Sequence, residues 1–358
     1  MMTPCRAAGL LIATALALTL PGCATAPLER PAEDLRAVTP GSVLRSLTID
    51  PAVEARILAL DPNHISDDDV RNALARGPTP RIFAIHGGVY GVYLLMESFG
   101  RFVTGMGYPE PMIRDAGDGA YSRSPYEDSA QQAGEIAWYY EHEGVRPMLV
   151  GHSQGGIQVV KILHELAGTF GAERRVFNPL TGQFEERTTI IDPLTGRERP
   201  VVGVSVADAS VVGTGGWALA LPVHWKVVPT IRSIPDTVDE FTGFFIAIDL
   251  IAWSFPGVNE QEVFREVGRA KVRNLELPAS YSHVLLPAVQ ELAKDAETRA
   301  RLNGYVPGKL GESGLESDRL SGALWAADVW YSIKKHWVLE LQQLIRAKRA
   351  ARGVTASG

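Results

Sequence analysis

Cysteine is nearly missing from this chain. Cys5 and Cys23 are the whole supply in 358 residues, too few to staple a fold, so packing must hold it. Long lysine or arginine runs are also missing and the formal net charge is −6, which argues against nucleic acid as a partner. The apolar run Ala7–Leu20, which follows Arg6, is too short for a membrane span and has the length of a signal-peptide core. Metal-ligand spacing is missing too. The acidic run Asp67-Asp68-Asp69 follows Ser66 and precedes Val70 and Leu74, which reads as a capped helix start whose acids meet the positive helix end. No metal and no cofactor are expected. Core-forming residues are plentiful: 46% of the chain is hydrophobic and 21% charged, an ordinary globular balance.

One stretch organises the rest. The apolar run Met148-Leu149-Val150 stops at Gly151, and His152-Ser153-Gln154-Gly155-Gly156 follows. A helical pattern then begins with Val159, Val160, Ile162 and Leu163. A G-x-S-x-G between strand and helix demands so tight a turn that the serine is strained and its hydroxyl stands out from the sheet edge. Glycines on either side let neighbouring backbone pass where a Cβ would collide.

Buried-strand runs alternate with helical patterns along the chain. Strands are expected at Arg81–Ile85, Pro111–Ile113, Val201–Val206, Gly243–Ile248 and Val272–Leu277, besides the one before Ser153. Helices are expected over Val53–Leu60, Tyr90–Phe102, Glu127–Glu143, Val263–Ala270 and Val284–Leu302. From Leu324 onward, apolar residues at 325, 329, 333, 337, 341 and 345 form one helical stripe. Trp325, Trp330 and Trp337 lie in this segment, which reads as a helix packed on the core. The near-copies Asn178-Pro179-Leu180-Thr181-Gly182 and Asp192-Pro193-Leu194-Thr195-Gly196 predict a β-hairpin insert, about 173–200, with two similar turns. The glycine cluster Gly213–Gly216 lacks the lysine of a phosphate loop and reads as a flexible loop. Trp217, Leu219, Leu221 and Trp225 belong to an apolar cap segment, about 208–243. The fold class is therefore α/β: a mostly parallel sheet with helices on both faces, a small cap and a C-terminal helix.

The strand Arg81–Ile85 runs directly into His86-Gly87-Gly88. With the serine turn, this segment resembles the α/β-hydrolase-fold serine hydrolases, the esterases and lipases. The resemblance covers roughly residues 79 to 305. It implies an oxyanion hole built from the N–H of Gln154 and of Gly87 or Gly88. It implies a base after the last strand, for which His283 is the candidate; His164 shares the helix of Ser153, His224 lies in the cap and His336 in the terminal helix. It also implies an acid between Ser153 and His283 in sequence. Asp249 ends a strand run and is the first choice, with Asp239 and Asp236 as alternatives. The expected chemistry is ester hydrolysis through an acyl-enzyme on Ser153. A non-catalytic binding protein of the same fold and a thioesterase or polyester hydrolase are the alternatives.

The start of the chain carries its own expectation. Leu20-Pro21-Gly22-Cys23 resembles the lipobox of bacterial lipoproteins, which implies a signal peptide over 1–22 and lipidation of Cys23. Ala24 after the cysteine implies, by the same resemblance, the outer membrane, with the protein on its periplasmic face. Residues 23–42, holding Pro27, Pro31 and Pro40, read as a tether. A hydrolase domain over 43–310 and a helical extension over 311–358 complete the expected organisation. The expected partners are a small-molecule or lipid ester and, through the anchor, a membrane.

Overall fold

Five strands form the central sheet: β1 (Ile82–Ile85), β2 (Met148–His152), β3 (Val206–Val212), β4 (Val238–Ile246) and β5 (Lys271–Leu277), in that spatial order. Every neighbouring pair is parallel. Alternate side chains supply two separate cores. Ile82, Ala84 and Val150 face one; Phe83, Ile85 and Leu149 face the other. Burial on both faces is why β1 and the Met148–Val150 part of β2 read as unbroken apolar runs, whereas the edge strand β5 is only partly buried. The computed structural model describes residues 43–257, 263–308, 315 and 322–356.

Among the described residues, six helices of nine residues or more surround the sheet: α1 (Pro51–Ala59), α2 (Tyr90–Gly105), α3 (Ser129–Glu143), α4 (Gln154–Leu166), α5 (Ala296–Gly304) and α6 (Ala323–Ala356). Helices α2 and α6 pack on the first core, α3 and α4 on the second. Their ends obey local chemistry. The Asp128 side chain accepts from Ala130 N at the start of α3, and Gly144, at φ 74°, ends it. Ser66 and Asp69 form a reciprocal capping box, so the acidic run serves a helix start.

The stripe predicted on α6 is real: Trp325, Val329, Ile333, Trp337, Leu341 and Ile345 are all fully buried. Trp337 donates from Nε1 to the Pro78 carbonyl at 3.2 Å and stands edge-on to Tyr108. The terminal helix is thus part of the core beneath the sheet. No described helix is long and apolar enough to cross a membrane.

Several expectations are corrected. Glu110–Met112 is a 3₁₀ turn, not a strand; Pro111 has no N–H to lend a ladder. The third strand begins at Val206 rather than ending there; Asp208 lies within it, buried, facing His336 of α6 and opposite Glu240 of β4. The fourth strand starts at Val238, earlier than expected, and stops before Asp249. No helix covers Val263–Ala270 within the described residues; Arg265–Glu266 pairs instead with Ser233–Ile234. Val284–Leu302 breaks into turns, a 3₁₀ segment and the start of α5. The cap is narrower than 208–243. Strands occupy its ends, and 3₁₀ turns at Gly216–Ala220, Pro222–His224 and Val228–Thr230 fill its middle.

The insert is two small hairpins, not one. Their turns are built alike. Asn178 Oδ1 accepts from Leu180 N at 2.9 Å and Asp192 Oδ1 from Leu194 N at 3.0 Å. Gly182 and Gly196 close them at φ 68° and 69°, where a side chain would be strained. The predicted signal peptide, Cys23 and the tether lie outside the described residues, as does part of the segment before α6.

Candidate active site

Ser153 sits at φ 55°, ψ −122°, between the end of β2 and the first residue of α4. An L-residue there is strained by about 1–3 kcal/mol. The surroundings hold it in place. Ser153 N donates to Val212 O of β3 at 2.7 Å. A Cβ on Gly151 would stand 2.6 Å from Gly155 O, and one on Gly155 would collide with the Ile85 carbonyl. The glycines of the motif are therefore required by backbone contact across the sheet.

Three side chains from three loops meet in a hydrogen-bonded line. His283 Nε2 lies 2.8 Å from Ser153 Oγ, and His283 Nδ1 lies 2.6 Å from Asp249 Oδ2. Burial pushes the Asp249 carboxyl up, but the His283 hydrogen bond and charge, with the amides of Ala252 and Ile251, hold it below its ordinary value. Asp249 is therefore an anion that can only accept. That dictates the imidazole tautomer: Nδ1 carries the proton and donates to Asp249, and Nε2 is free to accept from the serine hydroxyl. The other Asp249 oxygen, Oδ1, accepts from Ile251 N at 2.9 Å and Ala252 N at 3.1 Å. One carboxylate thus orients the imidazole and shapes its own loop.

The competing acids are elsewhere. Asp239 is the second residue of β4 and pairs with Arg146; Asp236 accepts from the amides of Arg269 and Ala270. Both stand at the amino ends of strands, whereas Ser153, Asp249 and His283 follow the carboxyl ends of β2, β4 and β5. The other histidines are engaged differently. His86 Nδ1 bonds the Gly87 carbonyl, His164 bonds Thr169 and the Ser233 carbonyl, and His336 faces Glu240.

The H-G-G segment leaves the carboxyl end of β1 and passes directly against the serine. A Cβ on Gly87 would stand 3.3 Å from Ser153 Cβ, and one on Gly88 would collide with the Gln154 side chain. Gln154 opens α4, where leading amides have no intrahelical partner. The three amide sources Gly87, Gly88 and Gln154 thus border the serine. Arg123 fixes the neighbouring loop. It is buried, pairs with Glu135 at 2.7 Å and with Asp115 at 3.0 Å, and its carbonyl accepts from His86 N. Tyr126 then reaches the Gly88 carbonyl with its hydroxyl at 3.0 Å.

Two neighbours were not singled out by sequence reasoning. Gly213, at φ 61°, packs against the imidazole: a Cβ there would be 2.7 Å from His283 Cε1. It directly follows β3, a strand that the sequence reading ends at Val206. His152, the residue before the serine, donates from Nε2 to the main-chain carbonyl of His283 at 2.7 Å.

Around this line the surface is apolar. Val89 and Tyr90 follow the glycines, Leu250, Ile251 and Trp253 follow Asp249, and Val284 and Leu285 follow His283; all are exposed, Leu250 at 71%. Trp217 of the cap stands edge-on to Trp253 at 5.0 Å. Exposed apolar side chains grouped this way mark a contact surface.

A parallel sheet with helices on both faces, and a serine on a strained strand-to-helix turn, define the α/β-hydrolase arrangement. No family model matches the chain, and no curated protein matches it. Among solved structures it is similar to lipase B of Aspergillus fumigatus, with 13% identity, a TM-score of 0.37, and coverage of 90% of this chain and 72% of that one. At this level of similarity, every functional assignment rests on the geometry of the chain itself.

Proposed function

We propose that this chain is a serine hydrolase that cleaves carboxylic esters through an acyl-enzyme on Ser153. The observation that carries the reading is the line Asp249–His283–Ser153, with links of 2.6 and 2.8 Å. A serine hydroxyl is a weak nucleophile until a base takes its proton. His283 Nε2 removes that proton as Ser153 Oγ bonds to the ester carbonyl carbon. The carbonyl oxygen becomes an oxyanion, stabilised by N–H groups of Gln154 and of Gly87 or Gly88; loss of one such donor typically costs ~3 kcal/mol. The C–O bond to the alcohol breaks as His283 returns the proton to the leaving oxygen. Water then attacks the acyl-enzyme, with His283 again as base.

The apolar rim favours esters with an apolar acyl or alkyl part, including lipid esters, over charged substrates. The Leu20–Cys23 segment supports a lipid anchor in the bacterial envelope, with the domain on the periplasmic face of the outer membrane. The test is labelling of the purified protein with a fluorophosphonate probe, followed by peptide mapping. Modification of Ser153, and loss of p-nitrophenyl ester turnover in a folded Ser153→Ala variant, are expected. A folded wild type that neither labels nor turns over would favour a binding lipoprotein of this fold.

A further inference from the structure

The carbonyl of His283 has lost its local donor. In a helical turn, the carbonyl of residue 283 would receive the N–H of residue 287. That residue is Pro287, which has no N–H. The neighbouring amide of Leu286 goes to Ser282 O. Among the described residues the donor to His283 O is the His152 imidazole, through Nε2 at 2.7 Å. We propose that His152 is a positioning residue for acyl transfer: its Nε2–H clamps the main chain that carries the base to the strand that carries the nucleophile. The proposal rests on the reading of Ser153 and His283 as nucleophile and base.

The surroundings fit this role. His152 is 1% exposed and ends β2, so sheet hydrogen bonds fix its backbone. Burial, and then the neighbouring His283, push its pKa down to about 3, so it is neutral at pH 7. A neutral ring facing a carbonyl through Nε2 must carry its proton there. Its Nδ1 is then a bare acceptor, buried beside Gly87 with no hydrogen-bond partner among the described residues. The segment after β5 needs such a tether. From Pro278 to Val289 it has no regular structure, and its internal bonds are turn contacts such as Tyr281 N to Pro278 O and Leu285 N to Ser282 Oγ. One dipeptide, His152-Ser153, thus sets both the hydroxyl and the loop from which the imidazole reaches it.

The test compares His152→Gln with His152→Asn. Glutamine places an amide N–H2 near the Nε2 position, whereas asparagine is polar but too short to reach the His283 carbonyl. With both variants folded by circular dichroism and thermal melting, kcat for p-nitrophenyl butyrate and the rate of fluorophosphonate labelling are measured. Asparagine should lower both by about ten- to a hundredfold with KM nearly unchanged, as expected for a misplaced reacting group. Glutamine should recover most of the rate. Equal rates in the two folded variants would overturn the proposal. If asparagine fails to fold, ¹⁵N NMR of the wild-type histidines decides: His152 should be neutral and protonated on Nε2, and a charged or Nδ1–H ring would overturn it. A wild type that does not label at Ser153 would instead overturn the hydrolase reading itself.

Discussion

Replacing Asp249 by asparagine reverses the direction of one hydrogen bond and leaves the rest in place. The Asp249 Oδ2 atom, 2.6 Å from His283 Nδ1, becomes an NH2 group that donates. His283 must then accept at Nδ1 and carry its proton on Nε2, so the nitrogen 2.8 Å from Ser153 Oγ can no longer take a proton. The wrong tautomer should lower kcat by about 10³- to 10⁴-fold, or ~4–5.5 kcal/mol of transition-state stabilisation. Structure should survive, because the asparagine oxygen still accepts from Ile251 N and Ala252 N. The assay is steady-state hydrolysis of p-nitrophenyl butyrate, with labelling kinetics as a second readout and thermal melting as control. A folded Asp249→Asn enzyme within tenfold of the wild type would refute the assignment of this acid. Acid titration adds a check of sign. The Asp249 carboxyl is held below its usual 3.8 in the folded chain, so its stabilisation is full above that pH and is lost as pH falls below it. The stability gap between wild type and variant should close in acid.

Three further outcomes are expected. Ser153→Gly should abolish turnover yet raise stability by about 1 kcal/mol by relieving the backbone at φ 55°, whereas Ser153→Ala should not; urea unfolding distinguishes them. Asp208 is fully buried and burial raises its pKa from 3.8 to about 6. The stability its neutral form contributes is therefore full below pH 3.8 and lost as pH rises through about 6. Asp208→Asn, neutral throughout, should exceed the wild type by ~2–3 kcal/mol at pH 8 and match it near pH 4 in urea unfolding. Trp337→Ala should cost ~3–5 kcal/mol in the same measurement; a near-neutral effect would mean that α6 is an appendage rather than part of the core.

The turn at Ser153 was legible because everything that makes it is local: strand, two glycines, serine, helix within a dozen residues. The stripe on α6 was legible for a similar reason, since one helix face is a property of a single segment. Strand limits were not. A strand buried on both faces has no alternation to mark its ends, so the third strand was read too early. Asp208, a carboxyl inside that strand, gives no sign of burial in the sequence because His336, which it faces, lies in another element.

What the chain alone determined is a class of fold and the place of one strained serine turn, both written in contiguous residues. Which acid faces His283, and what holds the His283 main chain, were decided only when loops from separate strands met at one edge of the sheet. Asp236, Asp239 and Asp249 are equivalent as residue types; the sheet sends the first two to its amino edge and the third to its carboxyl edge. His152 looks like a spacer in the motif until Pro287, far along the chain, leaves a carbonyl that, among the described residues, its imidazole reaches. Hydrogen bonds act over about 3 Å of space and ignore separation along the chain, so such pairings exist in the fold and not in any stretch of sequence.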